Sequence, residues 1–391
     1  MTRSTATLEV ASLPRVLLTT DTVGGVWDFA WSLAAALTGQ GHPMVLLALG
    51  ALSPAQQRQA EAAGVERLYT APLKLEWMRD CTDDVKRTRD LVQHLVQVEG
   101  IGVVHANQFA AAHLDSDVPV VLTLHSDVLS WRAWSLGDRR SWRAALPEWA
   151  EYAALVRSAC LRADEIVAIS GFLAREIQSL YEVDRRMEVV PNGWTVPPPE
   201  RLVPQAGRER LSLLAGRAWD AGKNIGTAIE AARRLAAPGR ILLAGEQRNP
   251  ESGGMFALGA PFESLGHVER PRLDALLGKT RVYVSPARYD PFGLLPVQAA
   301  QAGCALLLAD IPSYREVWGD AAAYAPPDDA DALARSWSTL LDDERVAQDL
   351  AERAQARAAA RYDVRTTATA YSALYARVAA RRAARPLEVL P

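Results

Sequence analysis

Cysteine is scarce. Cys81, Cys160 and Cys304 are the only three in 391 residues, far apart and in no C-x-x-C pair. That excludes a disulfide framework or a cysteine-built zinc site and points to a reducing compartment. Long apolar runs are missing too. No stretch approaches the roughly 20 apolar residues of a membrane span, and the polar first fourteen residues hold no signal-peptide core. The expectation is a cytoplasmic protein, with peripheral contact at the inner face of a membrane left open. Charge of one sign is lacking: the net value is -3, so there is no global basic field to draw nucleic acid. Lysine occurs only at 74, 86, 223 and 279. A lysine at a motif position therefore stands out.

What the chain does have is alternation. At this length two domains are expected. Apolar runs at Arg15–Thr20, Met44–Leu49, Val65–Tyr69, Gly102–His105, Pro119–Leu124, Glu165–Ile169 and Met187–Val190 read as strands. Helical spacing fills the gaps at Val26–Leu37, Pro54–Ala63, Asp84–Val98, Ser141–Leu161 and Gly171–Leu180. The proline-dense stretch from Pro197 to Pro204 reads as a linker. A second series follows, with strands Leu211–Ala215, Arg240–Ala244, Arg281–Ser285, Ala305–Leu308 and Ala321–Tyr324. Leu258–Val268 reads as irregular, Pro312 as a turn, and everything after Asp329 as helical. Strands alternating with helices predict α/β units around parallel sheets.

In such sheets ligands bind beyond the carboxyl ends of the strands, so residues there are the candidates. Gly24-Gly25 separates the first strand from its helix, where backbone N–H groups are free to meet a phosphate or sugar. The second strand ends without an acidic residue, which argues against a dinucleotide. His105 and His125 both end strands; packing suffices for His105, whereas His125 suits a sugar hydroxyl or phosphate. Arg217 and Lys223 flank a loop before a helix. Two cations there oppose the helix dipole unless an anion such as a diphosphate sits between them. The stretch Tyr289-Asp-Pro-Phe-Gly-Leu-Leu-Pro-Val-Gln298 is a loop running into a helix start at Gly293. Asp290 and Gln298 there suit hydroxyls, Gln298 offering donor and acceptor to a ribose diol. Trp131, Trp134, Trp142 and Trp149 alternate with Arg132, Arg139, Arg140 and Arg143. They fit an acceptor site or ordinary inward packing equally well, and anionic lipid less well.

Taken together, these segments resemble the retaining GT-B glycosyltransferases of family GT4, the glycosyl transferases group 1. The resemblance rests on Gly24-Gly25-Val26, Thr123-Leu-His-Ser-Asp127, Ala163–Ser170, Val189-Val-Pro-Asn-Gly193, Gly216-Arg217 with Lys223-Asn224, and Tyr289–Gln298 with Ala302-Gly303. It implies two Rossmann-like domains facing a cleft. Residues 1–196 would form the acceptor domain, with 363–391 crossing back to pack on it, and residues 205–362 the donor domain. By the same resemblance Arg217 and Lys223 would bind the donor diphosphate, Asp290 the transferred sugar and Gln298 the ribose. Phe292, Gly293 and Leu294 would line the donor site, Gly24-Gly25 would face phosphate or sugar, and His125 the sugar near the reacting carbon. Trp131, Arg132 and Trp134 are the acceptor-side candidates. The family's usual pair of glutamates is Asp290 and Gln298 here. The expected activity is metal-independent, cofactor-free transfer from a nucleotide-diphosphate sugar to a sugar, lipid or small-molecule hydroxyl. A non-catalytic sugar-nucleotide or glycan binder and a nucleotide-sugar epimerase are the alternatives.

Overall fold

The run Met44–Leu49 is apolar at every position, and every residue of it is buried. A strand covered on both faces reads this way, whereas a half-exposed strand alternates. The computed structural model describes residues 13–195, 204–205, 207–249 and 252–384 and places this strand inside the first of two parallel sheets. The first series is β1 (Val16–Asp21), α1 (Gly25–Gly39), β2 (Met44–Leu49), α2 (Pro54–Ala62), β3 (Arg67–Ala71), α3 (Thr82–Val98), β4 (Val103–Ala106), β5 (Val120–Leu124), α4 (Val128–Ser135), α5 (Pro147–Arg162), β6 (Glu165–Ala168), α6 (Gly171–Tyr181) and β7 (Glu188–Val189). The second is β8 (Leu211–Ala215), α7 (Ile225–Ala232), β9 (Arg240–Ala244), β10 (Phe262–Gly266), α8 (Arg270–Leu277), β11 (Val282–Ser285), α9 (Leu294–Gln301), β12 (Ala305–Ala309), α10 (Pro312–Trp318), β13 (Ala323–Ala325), α11 (Ala330–Asp342), α12 (Glu344–Arg361) and α13 (Val364–Ala383).

Strand order is β3-β2-β1-β4-β5-β6-β7 in the first sheet and β10-β9-β8-β11-β12-β13 in the second. All named pairings are parallel. The order reverses between β1 and β4 and again between β8 and β11. Chains leaving neighbouring strands in opposite directions open a crevice at that point. These two crevices decide where the site is.

The halves are joined at a double crossing. Trp194 donates its N–H to the Tyr362 carbonyl at 2.8 Å, and Val364 donates to the Trp194 carbonyl at 3.2 Å. The chain then runs into α13, which lies on the first sheet. Tyr371 and Tyr375 are fully buried there. The Tyr375 hydroxyl meets His105 Nδ1 at 2.7 Å, and the Tyr371 hydroxyl meets Thr123 Oγ1 at 2.9 Å. Each ring contributes about 1.5–3 kcal/mol by burial, and the hydroxyls fix its seat. His105 is thus structural; its other nitrogen meets Thr123 Oγ1 at 2.7 Å.

Several local expectations are corrected. The predicted helix over 141–161 is a short 3₁₀ turn at Trp142–Ala144 followed by α5, because Pro147 starts a new helix at its first position. A helix, α4, is capped by Asp127, whose Oδ1 accepts the Ser130 N–H at 2.8 Å. Pro312 opens α10 rather than making a turn. Within the supposedly irregular 258–268 lies β10, an edge strand with Glu263 and Ser264 exposed. The expected linker at 197–204 lies almost entirely outside the described residues.

Candidate functional site

Arg217, Lys223, Asp290 and His125 sit on loops leaving a strand's carboxyl end, while Gln298 lies in α9. In the second sheet, the loop after β8 carries Arg217 and Lys223, and the loop after β11 carries Asp290. The two loops are tied together: Arg288 and Tyr289 donate their N–H groups to the Gly222 carbonyl at 2.9 and 3.3 Å. Asn224 Nδ2 donates to the Pro286 carbonyl at 2.9 Å. This places Lys223 Nζ 3.0 Å from Asp290 Oδ2. Tyr314, on α10, also donates to Asp290 Oδ2 at 3.2 Å, and Ser313 Oγ donates to the Asp290 carbonyl at 2.6 Å. Arg217 pairs with Asp220 at 2.9 Å and lies over the Trp219 ring. Both cations therefore carry a carboxylate partner. Asp290, expected to meet sugar hydroxyls, here neutralises one of them.

Gln298, in α9, is 3% exposed. Its Oε1 accepts from Arg270 Nη1 at 2.6 Å, and its Nε2 is buried with no partner among the described residues. Gly293 caps α9 and Leu294, half-buried, begins it. Phe292, another donor-side candidate, is buried beside Asp290. Its ring is 2% exposed and packs edge-on against Tyr362, so only its backbone faces Asp290.

In the first sheet, the loop after β1 carries Gly24 and Gly25. Gly24 has φ 80 and ψ -145, a conformation open to glycine and to little else. A Cβ on either glycine would meet nothing within 4 Å, so both face open space at the start of α1. Asn107 follows β4 and His125 follows β5. His125 Nε2 meets Asn107 Oδ1 at 2.9 Å. An amide oxygen only accepts, so Nε2 carries the proton and Nδ1 is left as an acceptor. The imidazole also packs edge-on against Phe29, and burial pushes its pKa down to about 3. It is therefore neutral at physiological pH.

The sequence reading missed Asp21. It ends β1, and its Oδ1 accepts the Val23 N–H at 2.8 Å. Burial first, and then the neighbouring Glu76, push its carboxyl up to about 7, against the pull of Arg217 across the cleft. An acid at the end of the strand, three residues before the first of the two glycines, was the available signal.

The tryptophan and arginine segment divides. Trp131 Nε1 donates to Asp220 Oδ1 at 3.0 Å, linking α4 to the Arg217 loop. The approach is so close that a Cβ on Gly222 would lie 2.9 Å from Trp131 Nε1. The other two acceptor candidates, Arg132 and Trp134, already hold partners within the first half. Arg132 is locked onto Asp138 through Nε and Nη2, and Trp134 packs edge-on against Phe172. Trp142 lies between Arg143 and Arg157, and Trp149 packs on Tyr152.

Further contacts draw the halves together. Ser126 Oγ lies 3.2 Å from the Tyr289 hydroxyl, and Ser170 Oγ donates to the Pro291 carbonyl at 2.6 Å. Glu316, on α10, accepts the N–H groups of Gly171 and Phe172 at 2.6 and 2.8 Å, capping α6 from the other half.

Two Rossmann-like halves meeting at their switch-point loops, with a last helix returning to the first half, define the GT-B class of fold. Comparison with solved structures agrees. Sucrose-phosphate synthase from Thermosynechococcus elongatus superposes with a TM-score of 0.76 at 16% identity, over 94% of this chain and 100% of that one. HepE of Anabaena, solved in complex with UDP-glucose, superposes with a TM-score of 0.67 at 16% identity, over 93% and 100%. In sequence, the glycogen synthase of Mycobacterium tuberculosis is 26% identical over 378 residues, 87% of this chain and 88% of that protein. The family model for Glycosyltransferase Family 4 matches residues 23–195, and that for Glycosyl transferases group 1 matches residues 204–357. The chain belongs to the GT4 glycosyltransferases, and it is an enzyme of glycosyl transfer.

Proposed function

We propose that the protein moves a sugar from a nucleotide-diphosphate sugar to an acceptor hydroxyl with retention of configuration, without a metal. The observation that carries this reading is the pair of side-chain cations at the β8/β11 crevice, each held by a carboxylate that an incoming diphosphate can replace. The first half, residues 1–196 with 363–391, would take the acceptor, and residues 205–362 the donor.

In this reading the diphosphate settles between Arg217 and Lys223, with the open N–H groups at Gly24, Gly25 and the start of α9 assisting. Asp290, released from Lys223, turns to a hydroxyl of the transferred sugar. His125 Nδ1 accepts from another. Gln298 meets the ribose. The bond from the anomeric carbon to the diphosphate oxygen breaks, and the acceptor oxygen bonds to that carbon on the same face. The acceptor's proton passes to the departing phosphate oxygen. Arg217 and Lys223 stabilise the charge that develops there, which is electrostatic preorganisation. Trp131, already anchored on Asp220, borders this loop from the acceptor side. The acceptor class is a sugar, a lipid or a small molecule.

A thermal-shift panel of nucleoside diphosphates and their sugars identifies the donor, since a ligand bound to the folded state raises Tm by mass action. With that donor, Arg217→Ala and Lys223→Ala each abolish transfer while Tm stays near that of the parent. Near-normal turnover in both variants would sink the mechanism.

A further inference from the structure

The first sheet has a switch point of its own, between β1 and β4. Asp21 ends β1, and Gln108 stands two residues beyond β4. Glu76 joins them from the loop after β3, where its Oε1 accepts the Phe109 N–H at 2.7 Å. Asp21, Gln108 and Glu76 are buried, at 7%, 3% and 8% exposure. Arg217 acts on Asp21 from across the cleft, which places that carboxyl on the cleft side of the group. Its Oδ1 is taken by the Val23 N–H at 2.8 Å, so Oδ2 is the atom left to a ligand. The Gln108 carboxamide stands close enough to draw the Asp21 pKa down, yet its Oε1 and Nε2 are both buried with no hydrogen-bond partner among the described residues. A carboxamide offers donors and an acceptor together, and leaving them unmatched is costly. A hydroxyl, which also donates and accepts, answers both.

Cations are scarce on the same rim. Of the loops leaving the carboxyl ends of the first sheet, only the one after β3 carries a lysine or arginine, Lys74 and Arg79, and both are exposed. Lys74 Nζ is turned onto the Arg79 and Asp80 carbonyls, at 3.0 and 3.4 Å. In the transfer reading Arg217 and Lys223 are committed to the donor diphosphate. An anion seated beside Asp21 and Glu76 would lose its water without gaining a counter-ion, which is strongly unfavourable. We infer, on the glycosyl-transfer reading above, that the acceptor is an uncharged polyhydroxyl compound, a sugar or cyclitol without phosphate, and that Asp21 and Gln108 read its hydroxyls at this switch point. Asp21 Oδ2 accepts from a hydroxyl, and Gln108 supports the same group from beneath. A phosphorylated sugar or an anionic lipid headgroup is refused.

The test follows transfer by the full chain from the donor that the thermal-shift panel identifies. The acceptors are glucose, mannose and myo-inositol, each against its monophosphate ester. Octyl glucoside against vesicles of phosphatidylinositol separates a lipid-borne acceptor from a free one. The uncharged member of a pair is preferred by about tenfold or more in kcat/KM. Asp21→Asn, which keeps the shape, and Gln108→Leu each raise KM for the uncharged acceptor about tenfold, while donor affinity stays within about threefold. A merely structural Gln108 would move Tm and leave KM unchanged. Preference for the phosphorylated member overturns the inference. So does an unchanged KM in both variants, or no transfer to any uncharged acceptor by protein that binds the donor. Failure to bind any nucleotide in the panel instead overturns the donor-site reading on which it stands.

Discussion

Glu316→Ala tests whether the two halves must be joined for transfer. Glu316 Oε1 and Oε2 accept the first two N–H groups of α6, at 2.6 and 2.8 Å, and Arg175 Nη2 lies 3.2 Å from Oε2. A carboxylate on a helix N-terminus is favoured by both hydrogen bonding and the dipole. Bonds to a charged acceptor are worth about 1.5–3 kcal/mol each when sheltered, but the Glu316 side chain is 32% exposed. The Arg175 contact, 65% exposed on the arginine side, adds about 0.5 kcal/mol or less. Ser170 still reaches the Pro291 carbonyl and still caps Leu173. The variant should therefore weaken the joined state by about 2 kcal/mol, or about 30-fold in the open-to-closed ratio. Because neither core is touched, Tm changes little. Turnover should fall by up to about that factor, while nucleoside diphosphate affinity moves less, by about threefold, since the cations Arg217 and Lys223 lie within one half and only the assisting N–H groups at Gly24 and Gly25 come from the other. Small-angle scattering should show a larger radius of gyration. Unchanged turnover together with an unchanged scattering curve would refute the reasoning.

Asp290→Asn removes the carboxylate that competes for Lys223, so free nucleoside diphosphate should bind about three- to tenfold more tightly while transfer falls; weaker binding in calorimetry would contradict the competition. Burial holds both His105 and His125 at about 3, below the ~6.5 of an unfolded histidine. The unfolded chain then binds more protons between those values, and stability falls as pH drops through that window. Asp21, raised to about 7, acts oppositely: its contribution is present below the unfolded value of ~3.9 and is lost as pH rises to 7. Melting curves from pH 4 to 8 should show His125→Gln with a flatter acid side and Asp21→Asn without the loss near neutrality, and variants that track the parent would refute this. Gly25→Ala, at the start of α1 with open space around it, should leave stability unchanged or raise it by up to about 1 kcal/mol, read as an unchanged or higher Tm, yet reduce turnover, because its methyl enters the phosphate approach.

The sequence announced the architecture because its strands are buried on both faces. Runs such as Met44–Leu49 and Ala305–Ala309 need no tertiary information to be recognised. Glycines and prolines marked the loops, and those loops hold most of the candidate site. What escaped was decided by side-chain partners distant in sequence. Asp290 could not be read as a counter-ion of Lys223, because they are 67 residues apart and meet only once β8 and β11 are paired. Arg270 attracted no notice, since nothing local separates it from any other exposed arginine until α8 docks beside Gln298. Nor could the sequence show that Arg132 pairs with Asp138 or that Trp134 packs on Phe172.

The return of α13 has a consequence for how the protein is made. Its Tyr371, Leu374, Tyr375 and Val378 share one core with Val16, Leu18, Leu33 and Leu46 near the other end of the chain. The first sheet is synthesised early, yet the helix that seals one of its faces comes last. Until residues 364–383 clear the ribosome, the part of that face beyond α1, over β4 and β5, stays apolar and uncovered, a state prone to association. The second half meets no such delay, for its strands and covering helices are all made before α13. Native assembly therefore runs against the order of synthesis, with the first half completed last.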